Sequence, residues 1–431
     1  MKQLWIGGLA ALLVAAGILV RKRSQSSDSP FPVEIRCGQT VTRPQVVYGS
    51  AVLILAPDGI VWAWGENRVG AAKDQGGLLA PIGVRGEWAV PRRLEVGSNW
   101  IALAAGYTDA IGIKRDGSLW GWTFAPTQSH YGFGPCTNPP TAVATGTKWV
   151  AVAAAGGHAL ALQADGSLWA IGSNERGELG IGTITPFHPG RGARGAASWI
   201  RVGTNQNWIA IAADVSSSLG LQADGTLWRW GLSRVAMAGT TETNLSVPTL
   251  IGAETNWVAI AANSFSCVGL KRDHSLWGWG ANAAPFGCPS WTIPRFVSST
   301  VDWSRAAVGR GMLVALDTQG RLWQAGTVYD KNGGDNRITT RSTPTLLGSE
   351  RRWRDVWAGA WTGFGLTEDG ILWTWGHRPD IAREGSAALG SISHWLWEQR
   401  VASPIYERRP IGSESPWPLV RFVTNAPSSS C

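Results

Sequence analysis

Seven copies of one short motif restrict this chain of 431 residues to a repeat architecture. Each copy is a turn, usually Asp-Gly, followed by a segment such as Leu-Trp-x-Trp-Gly. The copies begin at Asp58, Asp116, Asp165, Asp224, Asp273, Gln319 and Asp369. Neighbouring copies lie 46 to 59 residues apart, which is typical of β-propeller blades and not of helical solenoids. The spacing therefore predicts one blade for each copy.

A tryptophan precedes the turn by sixteen residues in six of the copies, and we call these residues the landmark tryptophans. They are Trp100, Trp149, Trp208, Trp257, Trp303 and Trp353. A constant offset means that nothing is inserted between the two features, so they belong to one rigid unit. The insertions all follow the Leu-Trp segment, where loops of variable length are expected.

The residues of one repeat read as short antiparallel strands. Asp-Gly supplies the positive φ angles of a tight hairpin turn. In the strand that follows it, Trp120 and Trp122 share one face and Leu119 takes the other, because side chains alternate along a strand. Such a unit has three or four strands and cannot bury both faces alone, so neighbours must stack in a ring. The sequence predicts an all-β, seven-bladed β-propeller over residues 41–423, followed by a tail, residues 424–431.

The C-terminal segment, residues 412–423, resembles the start of a further unit and places Trp417 in the landmark column. The first unit has Thr42 at that position instead. We therefore expect the C-terminal strand to complete the first blade and close the ring. A second variable column, ten residues before the turn, is rich in Gly, Asn and Asp and predicts positive φ angles near one channel mouth. It consists of Tyr48, Gly106, Ala155, Asp214, Asn263, Gly309 and Gly359.

Residues 1–23 are predicted to form an N-terminal anchor, followed by a linker, residues 24–40. Residues 4–20 are uncharged and apolar, and Arg21, Lys22 and Arg23 follow directly. Their length suits either a short membrane span or a long signal sequence. The poor cleavage site favours an uncleaved anchor. The cations favour a cytoplasmic propeller, whereas the tryptophan-rich, lysine-poor domain favours an extracytoplasmic one, which we expect.

Composition gives little support for nucleic acid, metal or cofactor binding. The formal charge is +8, but the excess is mostly scattered arginine, which suits solvated loops. The five cysteines are too widely spaced for a zinc site and odd in number, and Cys267 lies in an apolar run typical of a buried thiol. We predict no cofactor, and a monomer with a protein partner.

The motifs resemble the regulator-of-chromosome-condensation repeat family. The resemblance rests on the landmark strand, the Asp-Gly hairpin and one complete tail, Gly172 to Gly180, with Asn174, Gly177 and Leu179 in place. It covers about residues 40 to 423. It implies a seven-bladed propeller whose faces bind proteins. Known members include the nucleotide-exchange factor for the GTPase Ran and a bacterial type that inhibits β-lactamases.

The chain departs from this family at several positions. The histidine often found seven residues before the turn survives only as His158, and the tail is complete in one blade only. No exchange wedge is identifiable. The resemblance therefore implies binding and does not extend to exchange activity.

Candidate binding residues fall in two groups. Asp109, His158 and Asp214 are predicted at a channel mouth, and aromatic residues of the long insertions are predicted at an interface. The loop candidates are Tyr131, Phe133, Phe187, Trp395 and Trp397. The prediction is a membrane-anchored interaction propeller without catalysis. Two alternatives stay open: a carbohydrate or cell-envelope binder, if three or more tryptophans are exposed on one face, and an enzyme with a site at the channel mouth.

Overall fold

A computed structural model describes residues 33–37, 42–48, 52–65, 88–94, 96–106, 109–123, 140–144, 146, 148–185, 195–234, 243–280, 283, 286–288, 293–330, 337–347, 351–359, 362–376 and 417–424. Every regular element in these ranges is a β-strand. None of their residues form a helix long and apolar enough to cross a bilayer. The predicted anchor, residues 1–23, lies outside the described residues.

The strands are short and follow the repeat. In chain order they are β1 (Val33–Cys37), β2 (Gln45–Tyr48), β3 (Val52–Leu55), β4 (Val61–Gly65), β5 (Trp88–Arg93), β6 (Trp100–Ala105), β7 (Asp109–Lys114), β8 (Leu119–Thr123), β9 (Thr141–Ala144), β10 (Trp149–Ala155), β11 (His158–Gln163), β12 (Leu168–Ser173), β13 (Gly195–Arg201), β14 (Trp208–Ala213), β15 (Ser217–Gln222), β16 (Leu227–Arg234), β17 (Thr243–Leu250), β18 (Trp257–Asn263), β19 (Ser266–Lys271), β20 (Leu276–Trp279), β21 (Arg295–Ser298), β22 (Trp303–Gly309), β23 (Met312–Asp317), β24 (Leu322–Asp330), β25 (Arg337–Leu346), β26 (Trp353–Ala358), β27 (Thr362–Thr367), β28 (Ile371–Gly376) and β29 (Trp417–Thr424).

These strands form seven sheets, which confirms the predicted seven-bladed propeller. Blades 1 to 6 are β2–β5, β6–β9, β10–β13, β14–β17, β18–β21 and β22–β25, and blade 7 is β26–β29 with β1 added. Within a blade we number the strands from inner to outer. The seven inner strands, β2, β6, β10, β14, β18, β22 and β26, contact one another in order around the ring. They therefore surround the central channel.

The Asp-Gly turns join the second and third strands, as predicted. In blade 2, Gly117 has a φ of 83°, and Asp116 Oδ1 accepts a hydrogen bond of 2.9 Å from Ser118 N. The Gly117 carbonyl then accepts a 3.0 Å bond from the backbone N–H of Trp149 in blade 3. The equivalent bond attaches each of blades 1 to 6 to the inner strand of the next blade.

Tryptophans of one blade pack on leucines of the preceding blade. Between blades 4 and 5, Trp257 and Trp279 pack against Leu219, Leu221 and Leu227. The described residues contain seven hydrophobic clusters of this kind, and one of them joins blade 7 to blade 1. Burial of a large side chain at every joint is the main force that holds the ring together.

In blades 2, 4, 5 and 7 a glycine in the second strand makes room for the landmark ring, and blades 3 and 6 have alanine at that position. A Cβ atom on Gly269 would lie 2.7 Å from the Trp257 ring, and one on Gly220 would lie 2.5 Å from the Trp208 ring. Blade 1 has the opposite sizes at these two positions. Thr42 replaces the landmark tryptophan, and buried Ile54 replaces the glycine of the second strand. The larger side chain of Ile54 therefore fills space that a landmark indole would otherwise occupy, which explains how blade 1 packs without that tryptophan.

The C-terminal strand takes part in closing the ring, but the prediction that it completes blade 1 is wrong. Strand β29 pairs with β28, Leu372 opposite Val420, and is the fourth strand of blade 7, between β28 and β1. Blade 1 has its own inner strand, β2, which pairs with β3. The similarity of Trp417 to a landmark was misleading because Pro418 follows it. Proline suits a strand edge that needs no donor: Pro418 precedes the residues of β29 that pair with β1, and Pro91, Pro248 and Pro344 lie in the fourth strands of their blades.

The N-terminal strand closes the ring together with the C-terminal strand. Strand β1 pairs in parallel with β29, Val33 opposite Val420, so the chain reaches blade 7 before it forms blade 1. This strand falls within residues 24–40, the range predicted as a linker. The sheet therefore starts earlier than predicted, and its two terminal strands hold each other at the seam.

Candidate binding face

The ring has two ends with different construction. At one end, which we call the turn face, the inner strand of each blade turns into the second strand. At the other end, the hairpin face, the Asp-Gly turns meet the starts of the inner strands. The predicted channel-mouth residues Asp109, His158 and Asp214 lie at the turn face, where β7 and β11 begin and β14 ends. All three are buried, with exposures of 1%, 0% and 1%.

His158 joins blade 3 to blade 4. Its Nε2 lies 2.8 Å from Ser218 Oγ, and that hydroxyl donates a 2.8 Å bond to the Glu178 carbonyl. Because the hydroxyl proton is used there, Nε2 must be the donor to Ser218. The pair therefore lacks the arrangement of an activated serine. Burial lowers the pKa of His158 to about 3, so this ring is neutral and structural.

The complete tail of blade 3 packs on blade 4. Asn174 Oδ1 accepts a bond of 3.1 Å from Leu179 N, and its Nδ2 donates 2.9 Å to the Thr183 carbonyl. The Glu178 carbonyl accepts a 2.7 Å hydrogen bond from Trp230 Nε1. Burial also raises the pKa of the Glu178 carboxyl to about 7. This tail is a connection between blades and offers no open site.

Asp214 joins blade 4 to blade 5. Its Oδ1 accepts a bond of 2.7 Å from Phe265 N, and its Oδ2 accepts a long one, 3.4 Å, from Ser217 Oγ. Burial raises the pKa of Asp214 to about 6 although the Phe265 bond opposes this. Burial, together with the Asp214 charge, also raises the pKa of the Cys267 thiol. Cys267 is a free, buried thiol, as predicted.

The turn-face mouth is narrow. Asn263 Nδ2 of blade 5 donates a 3.3 Å bond to the Ala358 carbonyl of blade 7. A Cβ atom on Gly359 would lie 2.7 Å from the Tyr48 ring of blade 1. The prediction of positive φ angles in this column is wrong, because none of its described members has one. They occur one or two residues later, as at Gly156, Ser264 and Phe265. Small size, and not backbone freedom, is what Gly359 supplies.

The structure does not bring the predicted site residues together into a reactive group. Asp109, His158 and Asp214 belong to three successive blades and have different contacts. Among the described residues, no three His, Cys, Asp or Glu side chains are grouped as a metal site. The loop candidates Tyr131, Phe133, Phe187, Trp395 and Trp397 lie outside the described residues, so their role stays a prediction.

Tryptophans provide no exposed stacking platform in the part of the chain described. The landmark residues are buried, and the first tryptophan of the segment after each turn is half-buried in blades 2 to 7 and buried, as Trp62, in blade 1. The indole N–H of the half-buried residue is used within the hairpin: Trp277 Nε1 donates 2.8 Å to Ser275 Oγ, and Trp228 Nε1 donates 2.8 Å to Thr226 Oγ1. The condition set for the carbohydrate alternative, three or more exposed tryptophans, is not met by the described side chains.

Among the described residues, the hairpin face carries a repeated set of exposed apolar side chains. Val150, Ile209 and Val258 directly follow the landmark tryptophans of blades 3, 4 and 5, and they are 53%, 46% and 48% exposed. Ile101 of blade 2 is half-buried at the same position. We call these four residues the apolar arc. Blades 6, 7 and 1 continue the mouth with three exposed arginines, Arg305, Arg354 and Arg43, which we call the arginine arc.

Sequence reasoning missed both arcs. The apolar column reads Ile101, Val150, Ile209 and Val258 in four successive repeats, so a signal was present. Alternation along a regular strand would place the residue after a buried tryptophan on the opposite blade face and bury it as well. A register shift between Trp208 and Ala210 leaves Ile209 outside the ladder, and such a bulge redirects the side chain.

Comparison with solved structures agrees with the fold. Human WBSCR16 has a TM-score of 0.63 and 18% identity, covering 84% of this chain and 94% of that one. Prp20p from Saccharomyces cerevisiae, described with its binding to Gsp1p and histones, has a TM-score of 0.60 and 18% identity, covering 88% and 89%. A structure of Kap60 bound to yeast RCC1 (Prp20) has a TM-score of 0.61 and 17% identity, covering 95% of this chain and 91% of that one. No family model matches the sequence.

Proposed function

We propose that this chain is a membrane-anchored propeller of the RCC1-like repeat type that binds another protein through its hairpin face and has no catalysis of its own. One observation carries the proposal. Val150, Ile209 and Val258 occupy the same position in three adjacent blades and are exposed together at one channel mouth. Apolar side chains grouped on a surface favour contact with a partner, because contact removes them from water.

The comparisons support a protein as the partner. Prp20p shares the fold and binds Gsp1p and histones, so a propeller of this construction can serve as a protein-binding platform. The buried positions of Asp109, His158 and Asp214 support binding over catalysis, since a substrate cannot reach groups of 0% to 1% exposure. A fold of this kind supports many functions, and the hairpin face is what directs the proposal to one surface.

Site-specific photo-crosslinking tests the binding face. A photoreactive amino acid replaces Ile209 in the full chain, expressed in its native host. We expect a discrete protein adduct after illumination. The matched control places the same amino acid at Val247, which is 49% exposed on β17, compared with 46% for Ile209. Equal adducts at both positions, or none at Ile209, would contradict binding through the hairpin face.

We propose that residues 4–20 anchor the chain and that the propeller is extracytoplasmic. The uncharged apolar run and the poor cleavage site support the anchor. A phosphatase active only outside the cytoplasm and, separately, a fluorescent protein active only inside it are fused after Cys431 in a bacterial host. We expect phosphatase activity and no fluorescence, with the cells fractionated to locate the fusion. Fluorescence without phosphatase activity would place the propeller in the cytoplasm, contrary to the proposal. A fusion found in the soluble fraction would show that residues 4–20 do not anchor the chain.

A further inference from the structure

The hairpin-side channel mouth is built by a bulge that recurs in blades 2 to 7. In each of these blades the pairing register shifts directly after the landmark tryptophan. The residue after the tryptophan therefore leaves the ladder; Ile101 of blade 2 packs against the cluster between blades 2 and 3, whereas the equivalent residues of blades 3, 4 and 5 are exposed. In blades 3, 4 and 5 this residue is Val150, Ile209 or Val258. The same bulge in blades 2 to 5 thus places the four residues of the apolar arc on one side of the channel.

The opposite side of the same mouth carries three arginines. Arg354 of blade 7 and Arg43 of blade 1 occupy the position of Ile209, and Arg305 of blade 6 occupies the next position. Asp355 lies among them. Its Oδ1 is 3.6 Å from Arg305 Nε, and the charges of Arg43 and Arg354 act on the same carboxylate. Around Asp355, three cations therefore face one anion, and Asp302, Glu368 and Asp369 are further exposed carboxylates at the same end of blades 6 and 7.

We infer that this mouth binds a protein segment in which apolar side chains stand beside carboxylates. The apolar arc takes the apolar side chains, and the arginine arc takes the carboxylates. This inference rests on the proposed function and names its partner chemistry. The charge balance carries it: Asp355 can satisfy only part of three guanidinium groups, and guanidinium pairs with carboxylate in a planar, bidentate geometry.

The two arcs act together, so a segment with only one property fits poorly. A purely acidic segment leaves Val150, Ile209 and Val258 exposed to water. A basic, apolar segment meets like charge at Arg43, Arg305 and Arg354, which disfavours it. Exposed ion pairs alone contribute little, whereas apolar contact excludes water from the adjacent arginines and strengthens their pairs. Affinity should therefore depend on both arcs.

A displayed library of random peptides tests the inference. The full chain is purified in mild detergent, immobilised and used to select binders, and chosen peptides are synthesised for fluorescence anisotropy at low and high salt. We expect the selected peptides to combine Asp or Glu with Leu, Ile or Phe. Because two charged contacts are removed, Arg305→Gln with Arg354→Gln should weaken these peptides by about tenfold or more and flatten their salt dependence. Ile209→Ser with Val258→Ser should weaken them as well.

Two controls and one reverse variant make the test specific. Arg295→Gln and Val247→Ser change an exposed arginine and an exposed valine on outer strands, and neither should alter affinity. Asp355→Asn removes the one carboxylate among the arginines and should tighten acidic, apolar peptides. Circular dichroism confirms that each variant is folded.

Other outcomes would overturn the inference. Peptides without acidic enrichment, or binding that ignores both arcs, would exclude it. Anionic lipid vesicles and a single-stranded DNA oligonucleotide are measured in parallel, and binding of either to the arginine arc without peptide binding would reassign that arc. If crosslinking at Ile209 succeeds while the acidic, apolar selection fails, the proposed function stands and this partner chemistry falls. If the crosslinking and the peptide selection both fail, the proposed function and the proposed partner chemistry are both wrong.

Discussion

Replacing Trp257 with threonine should destabilise the propeller by about 3–5 kcal/mol, the usual cost of removing a large buried aromatic side chain. Trp257 is 1% exposed. Its ring meets Trp277 edge-on at 5.9 Å and Trp279 at 6.1 Å, and the Lys271 ammonium lies 4.8 Å from its centre. The substitution removes all of these contacts at the joint between blades 4 and 5.

Blade 1 provides the design for a compensating change. It has Thr42 and Ile54 where blade 5 has Trp257 and Gly269. Gly269→Ile alone should also destabilise, because a Cβ atom there would lie 2.7 Å from the Trp257 ring. In the double variant the isoleucine should fill part of the space that the indole leaves. We therefore expect the double variant to be more stable than the sum of the single effects by about 1–3 kcal/mol, a coupling typical of residues in contact.

Urea unfolding followed by circular dichroism measures this cycle, since the signal does not depend on the tryptophan removed. The control is Trp277→Thr, which removes a half-buried ring from the same cluster and should cost less than Trp257→Thr. If the two single changes in the free energy of unfolding simply add in the double variant, the isoleucine does not fill the space that the indole leaves. Equal costs at Trp257 and Trp277 would show that depth of burial does not determine the role of the landmark.

The repeat made most of the fold predictable because its two landmarks fix the blade boundaries and the strand directions. Blade number, the Asp-Gly hairpins and the opposed faces of Leu119 and Trp120 all follow from local periodicity. Closure did not, because Trp417 has the same residue type as a landmark while its strand pairs with β28. Pairing partners distant in sequence depend on tertiary contacts, and only Pro418 indicated the fourth strand of a blade.

The candidate site was less predictable for a related reason. A column of His or Asp indicates chemistry by residue type, but its function depends on access. His158 and Asp214 proved to be buried, where they connect successive blades. The exposed positions depend on a one-residue bulge after each landmark tryptophan. Alternation predicts the opposite orientation for Ile209, so its exposure required knowledge of the strand pairing.

Asp214→Asn should stabilise the protein at pH 8 and have little effect at pH 4. Burial raises the pKa of Asp214 from its ordinary 3.8 to about 6, so the fold favours the neutral carboxyl. The stability that this group contributes is therefore full below pH 3.8 and is lost as pH rises through 6. This difference in pKa corresponds to about 3 kcal/mol at most. Asparagine removes the charge, and its amide oxygen can still accept the bond from Phe265 N.

Thermal unfolding of both proteins from pH 4 to pH 8 measures the effect, and Asp317→Asn is the matched control with the opposite sign. Burial opposes ionisation of Asp317, but bonds from Arg321 and Trp323 lower its pKa overall. Stability from Asp317 is thus nearly full above pH 3.8 and lost only as pH falls below it, so its variant should be destabilised at pH 8 and by almost as much at pH 4.

Asp214 holds a turn through its Oδ1, which accepts the bond from Phe265 N. Ser264 and Phe265 have φ angles of 50° and 64°, a conformation that costs energy for residues other than glycine. A carboxylate accepting the Phe265 N–H offsets part of that cost through a charge-assisted bond. Asp214→Ala removes the acceptor as well as the charge, so it should be less stable than Asp214→Asn at every pH. If Asp214→Ala and Asp214→Asn behave alike, the bond to Phe265 does not hold the turn, and only the buried charge affects stability.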